Sequence, residues 1–334
     1  MSCARALTAI FVLALACAAE RTSQAETPPG FWVRTKNPRA AADFALHAEA
    51  RRAIDGGAFS VEDTITRPLR LDDVRIKLES AGAKDSPDVR LRFDLGEVYE
   101  HVSMHSAAID VLSKALRIAP DHPAAEDAWL ELAYAYAKSD RPQEERNAYA
   151  EYLKRAVSPL SRTTAELNMA EADMRLGNLK EAIVGYREAF EHAAQYSYTT
   201  AETATLAVWG LAVALDRYGD PTGSAKETER ALGLDAGMRL IGHGPNVFFV
   251  PPYERYWYLG LGSLTEARLA KKPAERAAAF ARAEAIWKAY VAEAKPDDRW
   301  LAQAKAHLVF AAREAKKTRG ALPAVPESDD EAPL

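Results

Sequence analysis

The chain has 334 residues, of which 48% are hydrophobic and 27% are charged, and its formal net charge is −5. Because it is mildly acidic and carries no run of basic residues, we expect no nucleic-acid partner. Both cysteines, Cys3 and Cys17, lie before Ala25. The rest of the chain therefore offers neither disulfides nor thiol chemistry.

The N-terminus has the pattern of a secretory signal peptide. Arg5 precedes an apolar run from Ala6 to Ala19, and small residues stand at positions −3 and −1 of a cleavage site after Ala25. The run is shorter than the roughly 20 residues that a membrane-spanning helix needs, and we find no other membrane-span candidate. We therefore expect residues 1–25 to be removed and the protein to be exported, either to the periplasm or outside the cell. Two basic residues and one acidic residue lie in this segment, so its removal would change the net charge from −5 to −6.

A second interpretation of the N-terminus involves Cys17. The preceding Ala14-Leu15-Ala16 loosely resembles a bacterial lipobox, which would attach a lipid to the cysteine and anchor the protein at the outer membrane. The usual motif has Leu at −3 and a small residue at −2, whereas this chain has Ala14 and Leu15 there. Lipidation is therefore the less favoured alternative.

The stretch Val89–His122 has small, large apolar and proline residues at regular spacing. Small residues allow two antiparallel helices to approach closely, and the large ones fill the space between them. Proline ends the second helix because it lacks an N–H and its ring clashes with the preceding turn. The residues in this pattern are Leu95, Gly96, Tyr99, Ala108, Leu112, Ala115 and Pro120.

This pattern resembles the tetratricopeptide repeat (TPR), a helix–turn–helix unit of about 34 residues. Related units begin at Glu126 and Thr163, at equal intervals along the chain, and further units begin at about Thr205 and at Tyr253. The resemblance extends over roughly residues 89–290. It implies an all-α, TPR-like right-handed α-solenoid with an N-terminal helical cap and a C-terminal capping helix.

The expected boundaries follow from this register. Residues 26–88 form a leader and two capping helices, at about 39–54 and 71–81, separated by an irregular stretch at 58–70. About five repeats occupy 89–296, at 89–122, 126–159, 163–196, 205–236 and 253–295. The second helix of the fifth repeat fits only if about 11 residues are inserted near 269–278. A capping helix is expected within 297–317, followed by a disordered acidic tail at 318–334.

In TPR proteins the first helix of each repeat lines a concave groove that binds an extended peptide or a partner helix. The resemblance therefore implies a partner-binding groove, without the Lys/Arg/Asn set that captures a terminal carboxylate in chaperone-binding members. For the two tryptophans, burial against neighbouring helices is the alternative. The groove candidates are Phe93, Glu97, Tyr134, Lys138, Arg175, Trp209, Arg217 and Trp257.

The repeat register breaks at residues 234–252, where a long segment replaces a short linker. The segment is rich in Gly and Pro and contains the apolar run Val247–Val250, so we expect it to fold back onto the helices. Either it stabilises the break between two repeats, or its rim forms part of a partner or ligand site. The rim candidates are His243, Asn246, Tyr253 and Arg255.

We find no Walker loop, no H-E-x-x-H, no G-x-S-x-G and no cysteine cluster. His101 and His105 have helical spacing, but the register places them on opposite sides of a turn, with no third ligand nearby in sequence. We therefore expect no catalytic residues, no metal site and no cofactor.

These observations favour a non-catalytic protein–protein interaction scaffold or adaptor in the bacterial cell envelope, with a partner segment in the groove. Two alternatives stay open. One is a small-ligand-binding or enzymatic module around residues 241–258, and the other is an outer-membrane lipoprotein component of an assembly or secretion complex.

Overall fold

The computed structural model describes residues 30, 35–56, 61–196, 201–244 and 247–320. In those ranges the chain forms fourteen α-helices and two short 3-10 helices, with no β-strand. The signal peptide predicted at 1–25, the alternative lipidation site Cys17, the rim candidate Asn246 and positions 321–334 of the predicted tail lie outside the described residues. None of the helices in the described part is long and apolar enough to cross a bilayer.

The chain divides into two compact units, residues 1–207 and 208–334. The first unit contains eight complete helices and a 3-10 turn at Ala83–Asp85 among its described residues. The helices are α1 (Pro38–Asp55), α2 (Val61–Ser80), α3 (Val89–His101), α4 (His105–Ile118), α5 (Ala125–Lys138), α6 (Pro142–Leu153), α7 (Pro159–Leu176) and α8 (Leu179–Ala194).

Helix α9 (Ala201–Tyr218) contains the boundary between the units. The second unit continues with five helices in its described part and a 3-10 turn at Pro252–Glu254. These helices are α10 (Pro221–Leu234), α11 (Arg239–His243), α12 (Arg255–Leu269), α13 (Pro273–Glu293) and α14 (Leu301–Gly320).

The helices of four of the predicted repeats pack against each other as hairpins. Helices α3 and α4, α5 and α6, α7 and α8, and α12 and α13 are in contact and are joined by turns of only two or three residues, which forces each pair to run antiparallel. Prolines stand at the first position of helices such as α6 and α10, where the missing N–H has no partner to lose. The all-α repeat organisation predicted from the sequence is therefore present.

The first repeat shows why the small positions are needed. Gly96 on α3 faces Leu112 on α4 so closely that an added Cβ would lie 2.4 Å from the leucine side chain. Leu95, Leu112 and Ala115 are fully buried. The close approach of the two helices therefore depends on the residues that defined the pattern.

Two elements of the N-terminal and C-terminal regions differ from the prediction. Helix α2 begins at Val61 and continues through Pro68 to Ser80, whereas the sequence predicted an irregular stretch at 58–70 and a helix only from about residue 71. Helix α14 continues to Gly320, so residues 318–320 belong to the capping helix and not to the tail.

In the fifth repeat, residues 269–278, where the register required an insertion, form a short turn and the start of a long helix. A short turn follows α12, and α13 then begins at Pro273 and runs for 21 residues. The extra residues lengthen the second helix by about two turns, which displaces Ala283, Trp287 and Tyr290 along the chain without a loop.

Candidate functional site

In the first unit, the groove candidates Phe93 and Glu97 are buried on α3. Arg51 on α1 donates from Nη1 to Glu97 Oε2 at 2.6 Å, and it also pairs with Asp55 at 2.6 Å. Burial raises the pKa of Glu97 to about 7, although the adjacent Arg51 guanidinium opposes this shift. Glu97 is thus held by the N-terminal capping helix.

Several other titratable side chains surround Glu97. His47 on α1 lies 2.6 Å, Nδ1 to Oδ2, from the buried carboxylate of Asp94. One turn after Glu97, His101 places its Nε2 4.0 Å from Glu97 Oε1. Glu131 on α5 is buried close by. The repeat register alone did not reveal how close these residues lie.

The groove candidates on α5 are more accessible. Tyr134 is half-buried, and its ring packs edge-on against Tyr149 at a centroid distance of 6.2 Å. The Tyr149 hydroxyl accepts a hydrogen bond from Asn168 on α7 at 3.1 Å. Lys138 is exposed at the end of α5. Tyr134 is therefore held in place by packing while part of its surface stays open to solvent.

Arg175 on α7 bridges two carboxylates of the preceding repeat. Its Nη1 donates to Glu145 Oε2 and its Nη2 to Asp140 Oδ1, both at 2.7 Å. Burial raises the pKa of Glu145 to about 8, against the effect of the neighbouring guanidinium. Arg175 thus joins neighbouring repeats, which was not foreseen from its groove position.

In the second unit, Trp209 and Trp257 do not line an open groove, because both are fully buried. Trp209 donates its indole N–H to Asp235 at 3.2 Å, and Trp257 donates to Asp216 Oδ2 at 3.0 Å. The prediction that these two side chains are available to a partner is therefore wrong. Both side chains are buried inside their unit, which was the alternative prediction for them.

Arg217 is likewise enclosed in the second unit. Its Nη2 donates to Glu254 at 2.5 Å, and its guanidinium lies 4.4 Å from the ring centroid of Trp257 and 5.0 Å from that of Trp300. Because a charge buried this deeply needs a partner, the Glu254 carboxylate provides the opposite charge beside the guanidinium inside the core. Arg217 is consequently a structural residue here, in contrast to its predicted role in the groove.

Helix α14 contributes the remaining partners of this buried cluster. His307 Nε2 lies 2.9 Å from Asp216 Oδ2, and its ring stacks on Trp287 at 4.5 Å. Gln303 donates to the main-chain oxygen of Asp216 at 2.7 Å. A cleft of about 150 Å³ borders Asp216 and His307. The Asp216 carboxylate at this cleft is already engaged, because it accepts the indole N–H of Trp257.

The described part of the 234–252 segment packs on its own unit. Asp235 accepts hydrogen bonds from the Leu240 and Ile241 N–H groups at 2.9 and 3.5 Å, which fixes the start of α11. Phe249 packs against Tyr258 on α12 with the ring centroids 5.2 Å apart. The segment folds back as expected, although part of it forms the short helix α11.

The rim candidates of this segment do not share one environment. His243 and Arg255 are exposed, whereas Tyr253 is buried and donates its hydroxyl to Asp298 Oδ2 at 2.8 Å. Arg255 lies against the ring of Tyr256 at 5.0 Å. The three described candidates therefore give no support to a ligand site at the rim.

No protein-family model matches the sequence, and a comparison with characterised proteins finds no match. The chain is similar to solved structures that include repeat proteins of the TPR type. A putative kinesin light chain from Podosopora anserina with nearly identical TPR-like repeats is 16% identical, with 70% of this chain and 96% of that chain covered and a TM-score of 0.39. A signal-transduction ATPase from Pyrococcus horikoshii with a tetratricopeptide repeat sensor is 14% identical, with 86% and 45% covered and a TM-score of 0.47. A Rap protein complexed with Competence and Sporulation Factor is 13% identical, with 85% and 75% covered and a TM-score of 0.43.

Proposed function

We propose that the protein is a non-catalytic interaction scaffold that binds an extended segment of a protein partner on α5 and α7 of its first unit. The observation that carries this proposal is the accessible row of side chains on those helices. Tyr134, Lys138 and Glu171 are half-buried or exposed at the groove positions of the repeat register. A tyrosine that is held by packing but partly open to solvent offers contact area at a small cost in conformational entropy.

We further propose that the protein acts in the bacterial cell envelope. The support is the signal-peptide pattern, with cleavage after Ala25. Cell fractionation and N-terminal sequencing of the natural protein test it. A mature N-terminus at Glu26 in the periplasmic or secreted fraction supports export, whereas a lipid-modified Cys17 supports the anchored alternative.

Site-specific photo-crosslinking tests the binding surface. A photoreactive amino acid is placed at Tyr134 and, as a matched control, at Val184, which is 51% exposed on the second helix of the third repeat. Cells expressing each variant are irradiated, and the adducts are identified by mass spectrometry. We expect a protein adduct from position 134 and none from position 184.

The same experiment can contradict the proposal. Equal labelling at both positions would show contact without a preferred face, and no adduct at position 134 would show that this face is not used. The double substitution Tyr134→Ala/Lys138→Glu should remove co-purification of the crosslinked partner while thermal unfolding remains cooperative. Retention of the partner by this folded variant would also overturn the proposal.

A further inference from the structure

The first unit brings three potential metal ligands together from two neighbouring repeats. Glu97 and His101 lie one turn apart on α3, and Glu131 lies on α5, which packs directly against α3. One ligand atom from each residue lies within 4.8 Å of the others. Nothing in the sequence indicated this set, because Glu131 belongs to the next repeat, whereas ligand spacing along the chain indicates only the pair His101 and His105.

We propose that Glu97, His101 and Glu131 bind a divalent transition-metal cation, with Zn²⁺ as the best fit. Two carboxylate oxygens and one imidazole nitrogen are donors that Zn²⁺ accepts at about 2.0–2.2 Å in tetrahedral geometry. Such bond lengths place ligand atoms about 3.4 Å apart. The side chains must therefore close by up to about 1.4 Å, which torsion changes in two glutamates can supply. A water molecule would complete the set of four.

The surroundings already orient the donors of this site. Arg51 Nη1 holds Glu97 through Oε2 at 2.6 Å, so Oε1 is the atom directed toward His101. On the other side of the imidazole, His101 Nδ1 lies 3.7 Å from Glu100 Oε2. A carboxylate next to the second imidazole nitrogen is a recurring feature of metal-bound histidine, since it fixes the ring orientation and raises its basicity.

The donor set also discriminates between classes of cation. Ca²⁺ takes six to eight oxygen ligands, and Mg²⁺ requires near-ideal octahedral geometry with several waters. Three protein ligands, one of them an imidazole nitrogen, fit neither requirement well. Late first-row divalent ions bind such mixed nitrogen and oxygen sites more strongly. We therefore expect the affinity of the site for Zn²⁺ and Co²⁺ to be well above its affinity for Ca²⁺ and Mg²⁺.

Isothermal titration calorimetry of the full mature chain tests the site. The protein is first dialysed against EDTA and then freed of the chelator, and Zn²⁺, Co²⁺, Ca²⁺ and Mg²⁺ are titrated separately. We expect one Zn²⁺ ion per chain, and at least tenfold weaker binding after His101→Ala and after Glu131→Gln. The control is His192→Ala, because His192 lies 2.7 Å from Glu166 on the same unit and is 47% exposed. That variant should bind Zn²⁺ as the parent protein does.

Three results would overturn the proposal: no Zn²⁺ binding by the parent chain, equal affinities in the parent and the His101→Ala variant, or Ca²⁺ binding as tight as Zn²⁺ binding. Circular dichroism of each variant shows whether it is folded. If His101→Ala fails to fold, Glu131→Gln and His101→Gln decide the question, because both keep the side-chain volume close to that of the parent. The absorption spectrum of the Co²⁺-loaded protein gives an independent readout, since a tetrahedral site with nitrogen and oxygen ligands absorbs more strongly than hydrated Co²⁺.

Discussion

The two units of the chain use the same repeat positions in opposite ways. On α5 in the first unit, the groove positions of Tyr134 and Lys138 remain partly or fully open to solvent. In the second unit, the residues at the corresponding positions of the fourth repeat, Val213 and Arg217, are buried. Similar register thus produces an accessible face in one unit and an internal core in the other.

The cause of this difference lies in what surrounds the second unit's groove positions. Helix α14 brings His307 into contact with Asp216 and Trp257, the neighbouring Trp300 lies against Arg217, and the indole N–H of Trp257 is satisfied inside the core. A tryptophan at a groove position is therefore not by itself a sign of a binding surface. The partners of its N–H and of its ring faces decide its role.

The largest expected effect concerns the buried ion pair of the second unit. The substitution Arg217→Met leaves the Glu254 carboxylate in the core without its guanidinium partner, which should lower the free energy of unfolding by about 3–5 kcal/mol. Urea unfolding followed by tryptophan fluorescence measures it, because four of the six tryptophans lie in this unit.

Two further variants show whether burial of the ion pair is the reason for the loss of stability. Arg217→Met/Glu254→Gln removes both charges and should recover most of the lost stability. Arg141→Met in the first unit breaks an exposed ion pair with Glu144. This loss should lower the free energy of unfolding by only about 0–1 kcal/mol. If Arg217→Met cost no more than Arg141→Met, the ion pair would not be part of a dry core.

The fold could be predicted further than the site. Small and large residues at fixed positions, such as Gly96 and Leu112, are needed wherever two helices of a hairpin pack, so their spacing identifies the repeats. The groove assignment was less reliable because it depends on what covers each position. Trp257 is covered by residues from later helices, including Trp287 and His307, and the repeat pattern holds no information about such contacts.

The next comparison uses the glycine at the same repeat position in each unit. An alanine Cβ at position 260 would lie 2.5 Å from the Trp287 ring, and one at position 96 would lie 2.4 Å from the end of the Leu112 side chain. Overpacking of this kind costs about 1–3 kcal/mol. A leucine can change rotamer more easily than a buried indole. We therefore expect the loss of stability to be near the upper limit for Gly260→Ala and near the lower limit for Gly96→Ala.

Gly233→Ala is the matched control for both substitutions. Gly233 lies in α10 with no atom within 4 Å of an added Cβ, so alanine should stabilise the helix by up to about 1 kcal/mol. Thermal unfolding, followed by circular dichroism, ranks the three variants by stability. An equal loss from Gly96→Ala and Gly260→Ala would show that the second unit's core is as adaptable as the first unit's hairpin.

The smallest expected effect is a pH dependence located in the first unit. The folded-state pKa of Glu145 is raised to about 8 by burial, so the unfolded chain loses this proton at lower pH than the folded chain. Stability from this group should therefore fall as the pH rises from about 5 to 8, by on the order of 1–2 kcal/mol, because water and side-chain rearrangement around the ionised carboxylate weaken the effect of burial. Urea unfolding at several pH values should show this decline in the parent protein and a smaller one in Glu145→Gln, because the raised pKa of Glu97 still contributes.

The neighbouring Glu144 supplies the control for this pH dependence. It is exposed, and its hydrogen bond with Arg141 lowers its pKa. Its contribution to stability is therefore lost only at more acidic pH, and Glu144→Gln should leave the decline unchanged. A decline of the same size in Glu145→Gln would assign it to other groups, and the carboxylate of Glu145 would then be ionised beside Arg175 throughout this range.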